Sequence, residues 1–352
     1  MKGSRCLVVG GGGNLGGHII RLLLERGAAS VACFDLVPYT GVGAERVASH
    51  VGDITVYEQV QASLVASHSN VVFHAASVID IRPTPSLRMH AINVDGTYNV
   101  IRACRHAAVT SLIYTSSIEV VSGCAADGTS RLLNGVDEST PVAVKHHLPY
   151  AATKAAAERL VLAAHSPSMR TCAVRPGYIV GAGSIGLRVE MTKARQRGGY
   201  YVTAQVPATI SSVHPRNAAH AHLLAAERIS EAEVGGCSFF IRDFEANVVQ
   251  TALDAFSSTP IKPILLPLTL AYVLAYLLHV LDTLLHLLAA LRGRTRHTPD
   301  DVLDIAAVNM AWVDVIVSGA KARRVLGYES LVSREQCERE AKEWSASFWA
   351  QL

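Results

Sequence analysis

The sequence is poor in charged residues. Asp, Glu, Lys and Arg make up 17% of its 352 residues, and the formal net charge is only +3. Aromatic residues are 6% of the chain, and no block of basic residues is interleaved with them. Proteins that bind nucleic acid through phosphate contacts need concentrated positive charge. The composition therefore argues against a nucleic acid partner.

Paired cysteines are also missing. The cysteines are odd in number and contain no CxxC pair, which excludes a disulfide framework and a cysteine zinc site, so no metal is expected. The first strand-like run begins at Cys6, so we expect no N-terminal targeting segment and a folded part that faces the reducing cytoplasm. The seven cysteines are Cys6, Cys33, Cys104, Cys124, Cys172, Cys237 and Cys337.

The chain does contain a regular alternation of two kinds of segment. Short β-branched runs such as CLVVG, SVACFD and SLIYTSS are separated by longer segments of helical period. This alternation predicts right-handed βαβ units and a doubly wound, parallel-sheet Rossmann fold of the α/β class. The regularity weakens after Gly181. We therefore predict a dinucleotide-binding domain over 1–180 and a smaller substrate-binding region over 181–352, with returning Rossmann elements such as CSFFIRD.

A glycine motif follows the first predicted strand. Gly10, Gly13 and Gly16 have GxxGxxG spacing, which permits a tight turn and close approach of a pyrophosphate to a helix N-terminus. Asp35 ends the second strand 19 residues after Gly16, where a carboxylate binds the adenosine ribose. Asp35 would repel a 2′-phosphate, and Leu36 after it supplies no cation. The motif therefore favours NAD over NADP as the cofactor.

A second motif opens the predicted helix YAATKAAAERLVLAAH. Tyr150 and Lys154 are four residues apart, which places them one turn apart on one helix face. A phenol has a pKa near ~10 and is a poor base unless a nearby cation stabilises the phenolate. We therefore predict that Lys154 activates Tyr150 as the proton acceptor for an alcohol that loses hydride. The strand SLIYTSS ends in a hydroxyl partner, for which we expect Ser117, with Ser116 as the alternative.

These motifs occur in an order that resembles a known family. GGGGNLG, GDI, FHAAS, INVDGTYNV, YTSS, YAATK and RPGYIVG resemble the extended short-chain dehydrogenases/reductases. HAASVID, YTSSIEV, SVHPRNAAHAHLLAAE, a long apolar segment and LGYESLVSREQ resemble more narrowly the 3β-hydroxysteroid dehydrogenase and sterol dehydrogenase branch. The resemblance runs nearly end to end.

The resemblance implies a role for several residues. Ser117, Tyr150 and Lys154 become the catalytic triad, Lys154 also binds the nicotinamide ribose, and Asn93 holds a relay water. Asp53 and Ile54 lie at the adenine, Ala75 and Ala76 on the nicotinamide side, and Pro176 against the nicotinamide ring. The full predicted set of cofactor contacts is Gly10, Gly13, Asn14, Leu15, Gly16, Asp35, Asp53, Ile54, Ala75, Ala76, Tyr150, Lys154 and Pro176.

Two departures from the family pattern stand out. Asn14 replaces a bulky apolar residue inside the glycine motif, which affects packing rather than chemistry. Steroid isomerisation needs a further acid/base group, but TPIKPILLP has no carboxylate and Asp254 lies several residues earlier. We therefore do not predict isomerase activity. His74 is interpreted as a packed strand residue, and His146 and His147 as part of a loop near the mouth of the site.

The apolar segment 264–291 reads ILLPLTLAYVLAYLLHVLDTLLHLLAAL. A helix from Pro267 would be about 37 Å long, more than the ~30 Å core of a bilayer. We favour an in-plane, monotopic helix, because the family-like segment LGYESLVSREQ should return to the same domain. A spanning helix and a buried core helix are the alternatives. The polar residues form one stripe, with Asp282 beside it, made of Tyr272, Tyr276, His279, Thr283 and His286.

A basic turn follows this segment at Arg292, Arg294 and Arg296. It suits anionic lipid headgroups, although a solvated turn would have the same composition. We therefore predict association with membrane lipid, with the catalytic part on the cytoplasmic side, at the endoplasmic reticulum if the source is eukaryotic. A homodimer is also expected.

The resemblance implies NAD-dependent oxidation of the 3β-hydroxyl of a sterol or steroid to a 3-ketone. The closest alternative is a sterol-4α-carboxylate 3-dehydrogenase, whose β-keto acid product loses carbon dioxide. An epimerase or dehydratase of nucleotide sugars would share the fold but has no use for a membrane-seeking helix. A non-catalytic NAD-binding scaffold or redox sensor is the alternative of a different class.

Overall fold

The computed structural model describes residues 1–79, 86–124, 133–146, 148–205, 207–292 and 314–352. Of the sequence features above, Arg294, Arg296 and His147 lie outside these ranges. The strands are β1 (Arg5–Val9), β2 (Ser30–Asp35), β3 (Val47–Val51), β4 (Val71–His74), β5 (Ser111–Thr115), β6 (Leu133–Val136), β7 (Arg170–Pro176), β8 (Tyr178–Ile179), β9 (Tyr200–Ala204), β10 (Thr209–Val213), β11 (Ser238–Ile241), β12 (Phe244–Asn247), β13 (Lys262–Leu266) and β14 (Val315–Val317). The helices are α1 (Asn14–Glu25), α2 (Tyr57–Ser67), α3 (Leu87–His90), α4 (Gly96–His106), α5 (Pro149–Ala163), α6 (Ile185–Gln196), α7 (Pro215–Glu227), α8 (Val248–Phe256), α9 (Leu268–Leu291) and α10 (Arg334–Gln351).

The centre of the fold is a seven-stranded parallel sheet in the order β11-β7-β5-β4-β1-β2-β3. Alternate residues of β1 enter different cores. Cys6 and Val8 join the cluster that contains α1 and α7, and Leu7 and Val9 join the cluster on the face of α2, α4 and α5. Helices therefore cover both faces of a buried parallel sheet. This confirms the predicted doubly wound α/β Rossmann fold.

Elements from beyond Gly181 complete this sheet. β11 pairs with β7, and α7 packs against α1. A second sheet, in the order β12-β10-β14-β6 with β8 beside β10, joins strands of the C-terminal half to β6 from the first half, and β9 and β13 form a separate parallel pair. The boundary at residue 180 remains a prediction, since the chain returns to the first sheet after it.

Asp243 ties the C-terminal segment to the start of α7. Its carboxylate accepts hydrogen bonds from Tyr328 and Ser330, both at 2.6 Å, and from the Asn217 amide at 2.8 Å. The backbone N–H of Val332 donates to the Asn217 side chain at 2.9 Å. The segment LGYESLVSREQ therefore packs on the body that contains the Rossmann sheet, as its sequence led us to expect.

The helical segment from Leu87 to His106 contains a wider turn. Ser86 caps α3 by accepting the N–H of Met89 at 3.2 Å. A π-helical turn, Ala91–Asp95, then separates α3 from α4. Turns of this kind are frequent at functional sites. This one carries Asn93, the residue for which the family resemblance implies a relay water.

The apolar segment forms β13 and α9. α9 has 24 residues, about 36 Å, and is long and apolar enough to cross a bilayer. Ala271 and Ala275 are fully buried, whereas Tyr276, Leu277 and Leu287 are each 57% exposed. A buried core helix, one of the three alternatives, is therefore excluded. In the first half of α9 the polar stripe does not face the protein, because Tyr276, one of its members, is exposed.

Candidate active site

The glycine motif forms the turn between β1 and α1. Gly10 has φ of +86°, a left-handed conformation that favours glycine, and a Cβ there would lie 2.5 Å from the backbone nitrogen of Ala76. A Cβ on Gly16 would overlap the carbonyl oxygen of Gly10. Gly13 is the N-cap of α1 and has no side chain to cap the first-turn amides, while Leu15 points into the core. This helix N-terminus fits a phosphate.

Asn14 occupies the position where the family has a bulky apolar residue. Its amide nitrogen donates to the carbonyl of Ala182 at 3.0 Å. The contact joins the glycine turn to the loop after β8. The departure therefore concerns how the first helix packs against the C-terminal half, as expected from the sequence.

Asp35 lies at the carboxyl end of β2, beside the glycine turn. One carboxylate oxygen accepts the N–H of Gly12 at 2.9 Å and the other accepts the N–H of Leu36 at 2.7 Å. Leu36 and Val37 are exposed and bring no cation to this position. These residues fit a dinucleotide whose adenosine ribose carries no 2′-phosphate.

The other predicted cofactor residues follow the carboxyl ends of β3, β4 and β7. Asp53 holds its own loop, because its carboxylate accepts the N–H and the hydroxyl of Thr55, each at 2.8 Å. Ile54 is buried against Gly96. The N–H groups of Ala75 and Ala76 donate to Val9 of β1, at 2.8 and 2.9 Å. Pro176 ends β7. All of these positions lie along one edge of the sheet.

The structure brings Tyr150 and Ser117 together. Pro149 opens α5, so Tyr150 stands in its first turn. The phenol is hydrogen-bonded to the side chain of Ser117, whose oxygen also accepts the N–H of Glu119 at 3.2 Å. The Ser116 hydroxyl is buried and has no partner within the described residues. Of the two serines considered, Ser117 is therefore the one beside the tyrosine.

The environment of Tyr150 disfavours its phenolate. Burial raises the pKa of Tyr150 well above its usual value, the carboxylate of Glu119 raises it further, and the hydrogen bond to Ser117 opposes both. Burial also raises the pKa of Glu119, while a hydrogen bond to Ser122 lowers it. A base at this position therefore needs positive charge close to it.

Lys154 lies one turn further along α5 and is only 2% exposed. Its ammonium donates to the carbonyl of Thr115 at 2.5 Å and lies 4.4 Å from the centre of the Tyr114 ring. Burial lowers the pKa of Lys154 to about 7, and Glu158 acts in the opposite direction. Lys154 is therefore a buried amine whose charge is marginal at neutral pH, and its action on Tyr150 remains a prediction.

Asn93 is buried next to α5. Its amide nitrogen donates to the carbonyl of Val78 at 2.9 Å and to the Thr153 hydroxyl at 3.0 Å, and its amide oxygen accepts the N–H of Val78 at 2.8 Å. Thr153 in turn donates to the carbonyl of Tyr150 at 2.8 Å. These bonds fix the start of α5. The relay water remains a prediction.

Three neighbours of the site were not predicted from the sequence. Glu119 acts on Tyr150, and its place two residues after Ser117 was a usable signal. Glu158 acts on Lys154 and lies four residues after it, on the same helix face. His222 hydrogen-bonds with Thr115 at 2.8 Å across 107 residues of sequence, and no local pattern points to that contact.

A hydroxyl beside a phenol, with a buried ammonium one turn further along the same helix, lies at the carboxyl edge of a Rossmann sheet that opens on a glycine turn. This combination is typical of the extended short-chain dehydrogenases/reductases. Residues 7–262 match the family described as the 3-beta hydroxysteroid dehydrogenase/isomerase family. The chain belongs to this family, which confirms the resemblance seen in its motifs.

Individual relatives are similar over most of the chain. A Mus musculus protein named 3 beta-hydroxysteroid dehydrogenase type 7 is 34% identical over 361 aligned positions, which cover 96% of this chain and 94% of that protein. A Schizosaccharomyces pombe protein named sterol-4-alpha-carboxylate 3-dehydrogenase, decarboxylating, is 36% identical over 244 positions, 67% of this chain and 68% of that protein. UDP-glucose 4-epimerase of Thermus thermophilus shares the fold, with a TM-score of 0.67, 20% identity and coverage of 97% of this chain and 98% of that chain.

Proposed function

We propose that the protein is an NAD-dependent dehydrogenase that oxidises the 3β-hydroxyl of a sterol or steroid to a 3-ketone. The observation that carries the proposal is the placement of Ser117, Tyr150 and Lys154 at one end of the parallel sheet. Family membership and the name of the mouse relative support the substrate class. The position of Asp35 supports NAD as the cofactor.

In the proposed reaction the residues handle the proton and the charge. NAD, when bound, supplies a hydride acceptor and a positive charge on its nicotinamide ring. The hydrogen on the hydroxyl-bearing carbon leaves with the electron pair of its bond as hydride, and Tyr150 takes the hydroxyl proton as the carbonyl forms. Ser117 orients the hydroxyl oxygen next to the phenol. Lys154 stabilises the phenolate and binds the nicotinamide ribose.

A sterol-4α-carboxylate 3-dehydrogenase is the closest alternative. The name of the Schizosaccharomyces pombe relative supports it. Oxidation at the 3-position would make a β-keto acid, which loses carbon dioxide without a dedicated residue. The same triad therefore serves both reactions, and the difference lies in the substrate.

Both candidate reactions can be tested by incubating the purified protein with NAD and matched sterols that differ only in a 4α-carboxylate. Product masses distinguish a 3-ketone that keeps all carbons from one that has lost carbon dioxide. Tyr150→Phe is the control for background oxidation. Absence of turnover across the sterol panel would favour the non-catalytic NAD-binding scaffold or redox sensor instead.

We further propose that α9 lies in the plane of the cytoplasmic leaflet, beside the substrate entrance. Ala271 and Ala275 anchor its first turns on the protein, and the leucines beyond them are exposed. A sterol nearly insoluble in water could then pass from lipid to the site without crossing solvent. Tags placed before Ile261 and at the C-terminus should show the same protease accessibility in sealed vesicles. Tags on opposite faces would mean that α9 spans the bilayer.

A further inference from the structure

A buried ion pair lies behind the candidate active site. Arg175 and Glu158 are 4% and 1% exposed. The guanidinium donates two hydrogen bonds to the carboxylate, at 2.9 and 2.5 Å. Arg175 stands on β7 directly before Pro176, and Glu158 stands on α5, one helix turn after Lys154.

Stability alone is a weak reason for such a pair. Removing two charges from water costs several kcal/mol per ion, and apolar residues of similar size often replace a buried pair without loss. One guanidinium nitrogen of Arg175 is also buried without a hydrogen-bond partner among the described residues. The pair is therefore expensive where it stands, which points to a role other than holding the fold.

The carboxylate of this ion pair favours the charged form of its neighbour Lys154. Several elements surround its ammonium, and of the described groups that face it Glu158 is the one whose charge favours the protonated form. Burial and Lys154 together lower the pKa of His74 to about 3 and that of His222 to about 4, so neither histidine competes for the proton at neutral pH. Among the described residues, the titratable groups that act on or face Lys154 are Glu158 on α5, Tyr114 on β5, His74 on β4 and His222 on α7, and Tyr150 lies one turn before it on α5.

We propose that Glu158, held by Arg175, is a positioning residue that keeps the Lys154 ammonium charged inside the dry site. The inference rests on the proposed function, because it assigns a use to the charge on Lys154. Arg175 fixes the carboxylate so that it cannot turn to other donors. Glu158 offsets part of the free-energy cost of burying the charged ammonium. The order of charges along α5 and β7 is thus cation, anion, cation.

Glu158→Gln tests this through the pH dependence of turnover. Without the carboxylate, Lys154 loses its proton at a lower pH, so the alkaline limb of the kcat profile should move down by about one pH unit or more. Glu158→Asp keeps the charge and should return the limb close to its original position. A profile that keeps its shape and is only scaled down would overturn the proposal, since a structural defect acts at every pH.

A second measurement uses the protein without cofactor or substrate. Lys154 is charged in the folded protein below about pH 7 and neutral above it. The attraction to Glu158 therefore stabilises the fold at pH 6 but not at pH 9. Thermal unfolding of Glu158→Gln should show a larger loss of Tm at pH 6 than at pH 9. An equal loss at both pH values would contradict the proposal, whether or not the protein oxidises sterols.

Two further variants serve as controls for these experiments. Glu338→Gln removes an exposed carboxylate from its i,i+4 pair with Arg334 and should leave the pH profile unchanged. If Glu158→Gln does not fold because Arg175 is left uncompensated, Glu158→Gln with Arg175→Gln removes both charges. The alkaline limb should still move down in that double variant. An unchanged limb there would refute the assignment.

Discussion

Replacement of Asp35 by Ala should change the cofactor preference. The carboxylate lies at the end of β2, and its two oxygens already accept the N–H groups of Gly12 and Leu36. That places it beside the glycine turn, where the two hydroxyls of an adenosine ribose would reach it. A 2′-phosphate in the same position would meet a negative charge with no cation next to it. Asp35→Ala removes both effects.

The expected change in the NAD/NADP preference of Asp35→Ala is the sum of two contributions. A hydrogen bond to a charged group is worth about 1.5–3 kcal/mol, and the partial exposure of Asp35 favours the lower value, so NAD should bind about tenfold more weakly. A 2′-phosphate carries about −1.5 to −2 charge, and each pair of unit charges at ~4 Å costs about 1 kcal/mol in water. Relief of that repulsion strengthens NADP binding by about tenfold or more. The NAD/NADP preference should therefore fall by roughly 100-fold.

Dissociation constants for both cofactors, measured by calorimetry at two salt concentrations, test this reasoning. Asp35→Asn is the matched control, because it keeps one acceptor oxygen, enough for Gly12 or for Leu36, but loses the charge. It should gain NADP affinity with a smaller loss for NAD. An unchanged ratio in the alanine variant would mean that another group sets the selectivity.

Three other experiments are expected to separate the proposed roles. Tyr150→Phe should lower kcat by at least ~10²-fold, since only the proton acceptor is lost, and NAD affinity by calorimetry should stay within about twofold; near-normal turnover would reject the mechanism. Ser117→Ala should lower kcat for sterols more than Ser116→Ala, because only Ser117 contacts the phenol; equal effects would remove that distinction. Leu277→Asp with Leu281→Asp should weaken binding to sterol-containing vesicles about tenfold or more in a flotation assay, because charges are costly in a bilayer, with NAD binding unchanged; unaltered flotation would contradict a lipid-facing α9.

The Rossmann part of the fold could be predicted because its signals are local. Strands buried on both faces need continuous apolar runs, and the runs that form β1, β4 and β5 stand out against the polar turns between them. The second sheet gave no such signal. β14 pairs with β6 across roughly 180 residues of sequence, and its three residues carry no periodicity of their own. Pairing over that distance depends on tertiary packing, which single-sequence patterns do not record.

In the candidate site, too, the local features could be predicted from the sequence and the tertiary ones could not. Tyr150 and Lys154 were found because an interval of four residues on a helix is a geometric statement. The burial of Lys154 could not be predicted in this way, because it depends on residues of three other elements, His74, His222 and Thr115. The sequence therefore predicted that the two side chains share one helix face but not how their surroundings change their charge.

Burial moves the two ionisable groups of the proposed triad, Tyr150 and Lys154, toward their neutral forms. It raises the pKa of Tyr150 and lowers that of Lys154, so each is harder to use as a base or as a cation than it would be in water. An apolar sterol needs a dry surface against which to bind, and dryness is what produces both shifts. In the proposed reaction, the buried carboxylate of Glu158 keeps a charge beside the proton acceptor in a dry site, and the exposed apolar face of α9 lets a water-insoluble alcohol reach that site from lipid.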